Sequence, residues 1–480
     1  IVLTGTARPD GARQRYIPSV FFTPPGGTWN LMLATLNDLT AALNDGRTTS
    51  VQLTEAALAR AADPAGEGAR AFTRLYAESA LAQARASDTL RAAGIVRSAV
   101  EGLPISIKDL FDIEGETTMA GSVAREGEPA ADANAEVVQR LIAAGAVIIG
   151  RTNMTEFAYS GLGINPHYGT PLNPWDRATG RIPGGSSSGA AVSVADGMAV
   201  AAIGSDTGGS VRIPAALCGL TGFKPSAWRV SMEGVLPLSA NLDSIGPIAA
   251  SVRCCAELDA ILSGEGGPVP DALPLRGLRL AVPKTLALDA MDKHVSDTFA
   301  RTVARLVEAG ALVDEITIPE FAELANINAK GGFTAAEAWA WHRGLIERAG
   351  KRYDPRVVSR IMRGKDMSAA DYLDLLDARE AWVAAVDRRI AGYDALIMPT
   401  TPIVAPPVAD LAASDEAYYA ANGLILRNPT LINFLDGCAL SLPCHADGTA
   451  PVGLMIAGSN GADRRILAVG QAVEDLLAGR

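Results

Sequence analysis

From Leu36 onward the apolar positions recur at helical spacing and the polar ones fall between them. The stretch "LNDLTAALNDG" closes on Gly46, and "TTSVQLTEAALARA" opens on Thr49, three residues ahead of Gln52, which is the spacing of a capping box. "AESALAQARASDTLRAAG" and "NAEVVQRLIAAG" predict two more helices, each stopped by a glycine. The second runs directly into "AVIIG", a short unbroken apolar run bounded by glycine that reads as a buried strand. Helix, glycine, buried strand is the order in which an α/β sheet is built. The same order recurs around "LPISIKDL", "GMAVAAIGSD", "GLRLAVP" and "YDALIMP", so the chain is expected to form one large α/β core. Between about 264 and 392 long amphipathic stretches such as "DKHVSDTFARTVARLVEAG" and "MSAADYLDLLDAREAWVAAVDRRI" dominate, and this region is expected to shape access to whatever site the core carries. No repeat with a period of about 20 to 50 residues interrupts the pattern.

Composition narrows the function classes. Of 480 residues 48% are apolar and 20% charged, the balance of a globular protein. The net charge is −11 with no cluster of Lys and Arg, which argues against nucleic acid as a partner because neutralising phosphates needs clustered cations. No apolar run reaches the length of a membrane span. The residues before Ala34, 1–33, mix Gly, Pro and Arg around a short apolar knot; they read as a tail without the features of a secretory signal, and a cytoplasmic location is expected.

The five cysteines, Cys218, Cys254, Cys255, Cys438 and Cys444, form no CxxC pair and are expected to be buried thiols, with a Cys438–Cys444 pair left open. His167, His294, His342 and His445 are scattered and match no HExxH pattern, so no metal or other cofactor is expected.

Candidate chemistry concentrates in "RIPGGSSSGAAVSVADGMAVAAIGSDTGGSVRIPAALCG", residues 181–219, where two glycine-serine clusters bracket a small-residue helix and a strand. The first cluster could bind an anion at a helix N-terminus, but the chain lacks GxxxxGK[ST] and neither cluster carries a GxGxxG followed by an acidic ribose ligand. In the second cluster Ser210 falls at a strand-to-helix turn. The N–H groups of Thr207, Gly208, Gly209 and Ser210 are expected to converge there on a carbonyl oxygen that becomes negative during acyl transfer, and glycine allows the close approach. A serine hydroxyl needs a base. No histidine lies in a suitable context, His167 in "INPHYGTP" reading as a loop residue, and Ser210 is not in a GxSxG elbow. The candidate is Lys108, which ends the apolar run of "GLPISIKDLFDIEG": a desolvated lysine whose pKa falls from about 10.4 to about 7 or 8 can accept a proton.

Taken together, "GLPISIKDL", "RTNMTEFAYSGLG", "NPWDRATGRIPGGSSSGAAVSVADG", "GSDTGGSVRIPAALCGLTGFKP", "LDSIGPIA", "YDALIMPTTP" and "GLMIAG" resemble the amidase signature family of serine hydrolases, over residues 34–480. The resemblance implies a large mixed twisted β-sheet flanked by helices on both faces. It implies a triad in which Ser210 is the nucleophile, Ser186 the bridging serine and Lys108 the base, with Ser186 preferred to Ser187 and Ser188 by its spacing from Ser210. It implies a cis peptide from Gly185 to Ser186, Ser187 hydrogen-bonded around the triad, and Met154 lining the acyl pocket. Asp206, Arg212, Asn153 and Asp243 are read as scaffold.

The expected activity is hydrolysis of a small amide or related C–N bond in an anilide, hydrazide or carbamate (a urethane), with water as the second substrate, esterase side activity, and a monomer or homodimer as the working unit. Two alternatives stand beside it: a glutaminase subunit of a tRNA-dependent amidotransferase, and a non-enzymatic anion- or nucleotide-binding protein. The glutaminase needs an acid to hold the substrate ammonium, and the corresponding segment "GLILRNPT", Gly423 to Thr430, has none. Trp339 and Trp341 are candidates for an aromatic pocket wall or for core packing.

Overall fold

A computed structural model describes residues 34–479; the tail expected at 1–33 lies outside them. Eleven strands run β1 (Phe72–Leu75), β2 (Pro104–Lys108), β3 (Val147–Thr152), β4 (Ala201–Asp206), β5 (Thr221–Lys224), β6 (Ser244–Ala249), β7 (Arg279–Pro283), β8 (Leu312–Ile316), β9 (Ala395–Pro399), β10 (Cys438–Pro443) and β11 (Gly453–Gly458). They form one sheet in the order β1-β3-β2-β4-β6-β5-β10-β11-β9-β7-β8. The sheet is mixed: β2 pairs parallel with β3 and β4, and β7 with β8 and β9, while the strands between pair antiparallel. This is the α/β architecture expected, with helices covering the sheet.

Burial explains which strands the apolar pattern reveals. Every residue of β2, β3, β4 and β9 is buried, so each contains a short small or apolar run, which in β2, β3 and β4 ends on a buried polar or charged residue. The edge strands β1 and β8 carry exposed charged positions such as Arg74 and Glu315 and break that pattern. The helix at Ser50–Ala61 opens as its spacing predicts: Thr49 Oγ1 accepts from Gln52 N–H and Gln52 Oε1 accepts from Thr49 N–H, both at 3.1 Å.

The region 264–392 contributes β7 and β8 as well as long helices, so it is woven into the sheet rather than laid over it. All five cysteines are free, and Cys438 and Cys444 do not pair. Among the described residues no helix is long and apolar enough to cross a membrane, and no cluster of His, Cys, Asp and Glu is placed to hold a metal ion.

Two connections bring the glycine-serine clusters to the end of β2. Strands β2 and β4 lie side by side and parallel, with Ile107 opposite Ile203, so Lys108, which ends β2, and Ser205, next to last in β4, are on neighbouring strands. The helix Ser188–Ala195, preceded by the cis peptide Gly185–Ser186, packs against β4, and every one of its residues is buried.

Candidate active site

Lys108 is the last residue of β2 and is fully buried. Its Nζ lies 2.7 Å from Ser186 Oγ and 2.8 Å from Ser205 Oγ, with the Ser205 carbonyl oxygen at 3.5 Å. Burial pushes the amine down to about 7, against the opposing pull of the Asp206 and Asp243 carboxylates. The sheet therefore supplies an amine that is partly neutral at neutral pH, held between two hydroxyls.

Ser186 reaches this position because the chain at 184–186 passes through a crowded corner. A Cβ at Gly185 would stand 2.5 Å from Gly163 N, so only glycine fits before Ser186. Ser186 O in turn accepts from Thr155 N–H at 3.0 Å. Ser187 is also buried; its N–H donates to Ser210 O at 3.3 Å and its hydroxyl to Ser205 O at 3.4 Å, which holds the two glycine-serine clusters against each other.

The second cluster wraps around Asp206. This carboxylate accepts from Gly209 N–H at 2.8 Å, from Val211 N–H at 3.1 Å, and from Arg212 Nε and Nη2 at 3.0 and 2.9 Å. Asn433 Nδ2 adds a bond at 2.9 Å. Burial alone would raise the Asp206 carboxyl, but the Arg212 guanidinium and these hydrogen bonds outweigh it and hold the group well below the ordinary carboxylate range. Asp206 and Arg212 are thus the scaffold pair the sequence suggests. Gly209, at φ +122°, takes a backbone conformation closed to other residues. Its N–H, expected among the converging donors, is instead engaged by Asp206. Asp243 fixes Thr207 by accepting from its hydroxyl, and itself accepts from Leu238 and Ser239 N–H. Asn153 ties loops together through the carbonyls of Arg70 and Gly169.

Thr207, Gly208 and Ser210 open onto a cavity of about 340 Å³. Leu238, Leu242, Leu286, Leu324, Phe333 and Phe434 give it a largely apolar wall, to which the region 264–392 contributes Leu286, Leu324 and Phe333. Two arginines, Arg360 and Arg427, also line it, and among the described residues no Asp or Glu does.

One sequence expectation, that for Met154, lands elsewhere, while the tryptophans and His167 take the packing and loop places also allowed for them. Met154 is fully buried in the main hydrophobic core, its side chain against Gly121, and does not line the cavity. Trp341 packs edge-on against His342, and Trp339 lies against the core; neither lines the cavity. His167 bonds Glu156 at 2.8 Å, outside the lining. Nothing in the sequence alone singles out Ser205: it stands between Gly204 and Asp206 in "GSDTGG", and only the pairing of β2 with β4 brings it to Lys108.

Comparison with known proteins identifies the family. A family model described as Amidase matches residues 52–467. The chain is 36% identical over 398 residues to a 2-amino-5-chloromuconic acid deaminase of Comamonas testosteroni, covering 82% of this chain and 86% of that one. It is 36% identical over 471 residues to the A subunit of the glutamyl-tRNA(Gln) amidotransferase of Chloroflexus aggregans, covering 90% and 94%. A solved structure described as an amidase superposes with a TM-score of 0.82 at 34% identity, covering 92% of this chain and 99% of that one. By the family match over most of its length, these relatives and the shared sheet, the chain belongs to the amidase family.

Proposed function

We propose that this protein is a free-standing amidohydrolase that cleaves a small linear amide, or the related C–N bond of an anilide, hydrazide or carbamate, through an acyl-enzyme on Ser210. The observation that carries this reading is the fully buried Lys108 amine, 2.7 Å from Ser186 Oγ and with its pKa pushed down to about 7, beneath a cavity lined by Ser210. Neutral Lys108 takes a proton from Ser186 as Ser186 takes one from Ser210. The Ser210 oxygen adds to the substrate carbonyl, and the N–H groups of Thr207, Gly208 and Ser210 stabilise the oxyanion. The relay then returns the proton to the leaving nitrogen as the C–N bond breaks. Water repeats the sequence on the acyl-enzyme, releasing the acid and restoring Ser210. Esters are cleaved as a side reaction, since an alkoxide leaves more readily than an amine.

The glutaminase reading has relatives in its favour, including the Chloroflexus aggregans protein. Against it, Gly423, Leu426, Arg427 and Thr430 of the late segment line the cavity, and among the described residues no carboxylate joins them to hold an ammonium. The anion-binding reading is disfavoured by the helix after "GGSS", whose residues are all buried and closed to a phosphate ligand. The test is labelling by a fluorophosphonate together with turnover of aryl amides, aliphatic amides, carbamates and glutamine. Wild type is expected to label and Ser210→Ala not to; equal labelling of Ser210→Ala would move the nucleophile to another serine.

A further inference from the structure

We infer that the amide accepted here carries a carboxylate, bound by Arg427 and Arg360; the inference rests on the hydrolase reading and names its substrate class. Both guanidinium groups are half-buried and line the cavity that Ser210 lines. Neither forms an ion pair among the described residues. Arg427 donates from Nε to Asn428 Oδ1 at 3.0 Å, from Nη1 to the Asp289 carbonyl at 2.7 Å and from Nη2 to the Ala287 carbonyl at 3.1 Å, all neutral acceptors. Arg360 donates to the Tyr159 carbonyl and lies 4.5 Å over the Tyr159 ring. The fully buried arginines have carboxylate partners, as Arg212 has Asp206 and Arg151 has Asp109, whereas half-buried Arg125, away from the cavity, donates to the Thr118 carbonyl and lies over Trp341.

A half-buried guanidinium whose own hydrogen bonds go only to neutral acceptors keeps much of its charge unneutralised, and its planar fork matches a carboxylate. Burial lowers the Arg427 pKa, with the Asp289 charge opposing, as expected of a cation short of an anion. The placement suits a substrate group rather than a distant surface. Arg427 lies one helical turn before Thr430 in the helix Asp415–Phe434, so the two share a face, and Thr430 Oγ1 bonds the Gly208 carbonyl at 3.4 Å. Tyr159, under Arg360, lines the same cavity. With Leu238, Leu242, Phe333 and Phe434 forming apolar walls, the complementary molecule has an apolar body and one anionic end.

Two substrate pairs test this on the full chain. The mono-para-nitroanilide of glutaric acid is compared with valeric para-nitroanilide, which has a methyl group where the first has its carboxylate. Para-acetamidobenzoate is compared with para-acetotoluidide, which makes the same exchange on the leaving group. In at least one pair the acid should be favoured by about tenfold or more in kcat/KM, mainly through KM, the worth of one charge-assisted hydrogen bond. That advantage should collapse in Arg427→Gln or Arg360→Gln. Independently of any variant, glutarate but not pentanediol should compete with valeric para-nitroanilide in wild type.

Neutral members turned over as fast as the acids in both pairs, with no inhibition by glutarate, overturn the inference and leave the hydrolase reading standing. An acid preference retained in both glutamine variants overturns the assignment to these arginines. Absence of all amide turnover together with absence of Ser210 labelling defeats the hydrolase reading itself.

Discussion

Lys108 Nζ and Ser205 Oγ, on neighbouring parallel strands, are 2.8 Å apart. The amine thus has a second hydroxyl partner besides Ser186, and this partner makes no contact with the cavity. A hydroxyl oxygen accepting from an ammonium favours the charged form, so removing it lowers the pKa of the amine. Ser205→Ala is therefore expected to move the acid limb of kcat/KM to lower pH and, by loosening the amine, to lower the plateau by about tenfold. Measuring both limb and plateau separates this from general damage, which lowers the plateau without moving the limb.

On the proposed mechanism the base is the neutral amine of Lys108, whose pKa burial pushes down to about 7. Its protonated fraction falls as pH rises, so kcat/KM for an aryl amide should climb through about pH 7 and level off above about pH 8. A rate indifferent to pH from about 6 to 9, with chemistry rate-limiting, removes Lys108 from the role of base.

The same burial sets a stability prediction of opposite appearance. In the unfolded chain the amine titrates near about 10.4. Between that value and about 7 the unfolded form holds a proton that the folded form does not, so Lys108 makes stability rise with pH across this window and costs a few kcal/mol near neutrality. Lys108→Met keeps the length without the charge. It should lower kcat by about a thousandfold or more, yet melt at or above the wild-type temperature at pH 7, even though Ser186 and Ser205 each lose a partner worth about 1 kcal/mol. The advantage should vanish toward about pH 10. Lys224, buried and pushed down to about 8, adds a slope of the same sign to both proteins, so the difference between them isolates position 108. A variant that melts well below wild type at every pH contradicts this.

Much of the fold is legible in the sequence because burial leaves a mark on composition. The strands β2, β3, β4 and β9 are buried along their whole length and announce themselves by short small or apolar runs, and glycines such as Gly145 mark where a helix turns into a strand. What is illegible depends on long-range pairing. Strand β8 has exposed polar residues and shows no apolar run, and β10 takes its place in the sheet by pairing with the distant β5 as well as with β11. At the site, Lys108 and Ser210 can be named from residue type and context, whereas Ser205 requires the register of β2 on β4. Arg427 lies inside a segment whose sequence shows only that it lacks an acid, and its bearing on the cavity comes from the helix face it shares with Thr430. Met154 departs from expectation for a similar reason: proximity to the motifs in sequence gives no direction to a side chain, and this one points into the core.

The loop that carries Ser210 is held by a buried ion pair. Asp206 and Arg212 are both fully buried, and the carboxylate also fixes the N–H groups of Gly209 and Val211. Asp206→Asn leaves a buried guanidinium opposite a neutral amide, which should cost about 3–5 kcal/mol in urea unfolding. Because the folded carboxyl lies below its unfolded value, its stabilisation is present above about pH 4 and fades as pH falls through the folded value. The gap between wild type and Asp206→Asn should therefore be widest near neutrality and narrow in acid, measured as the urea midpoint against pH. At low temperature, where the variant remains folded, kcat should also fall, because the amide keeps only one acceptor oxygen, so Gly209 or Val211 N–H loses its partner and the proposed donors of Thr207, Gly208 and Ser210 lose their common direction. A gap that stays constant down to about pH 3 would mean that the charge of Asp206 contributes nothing and that its role is shape alone.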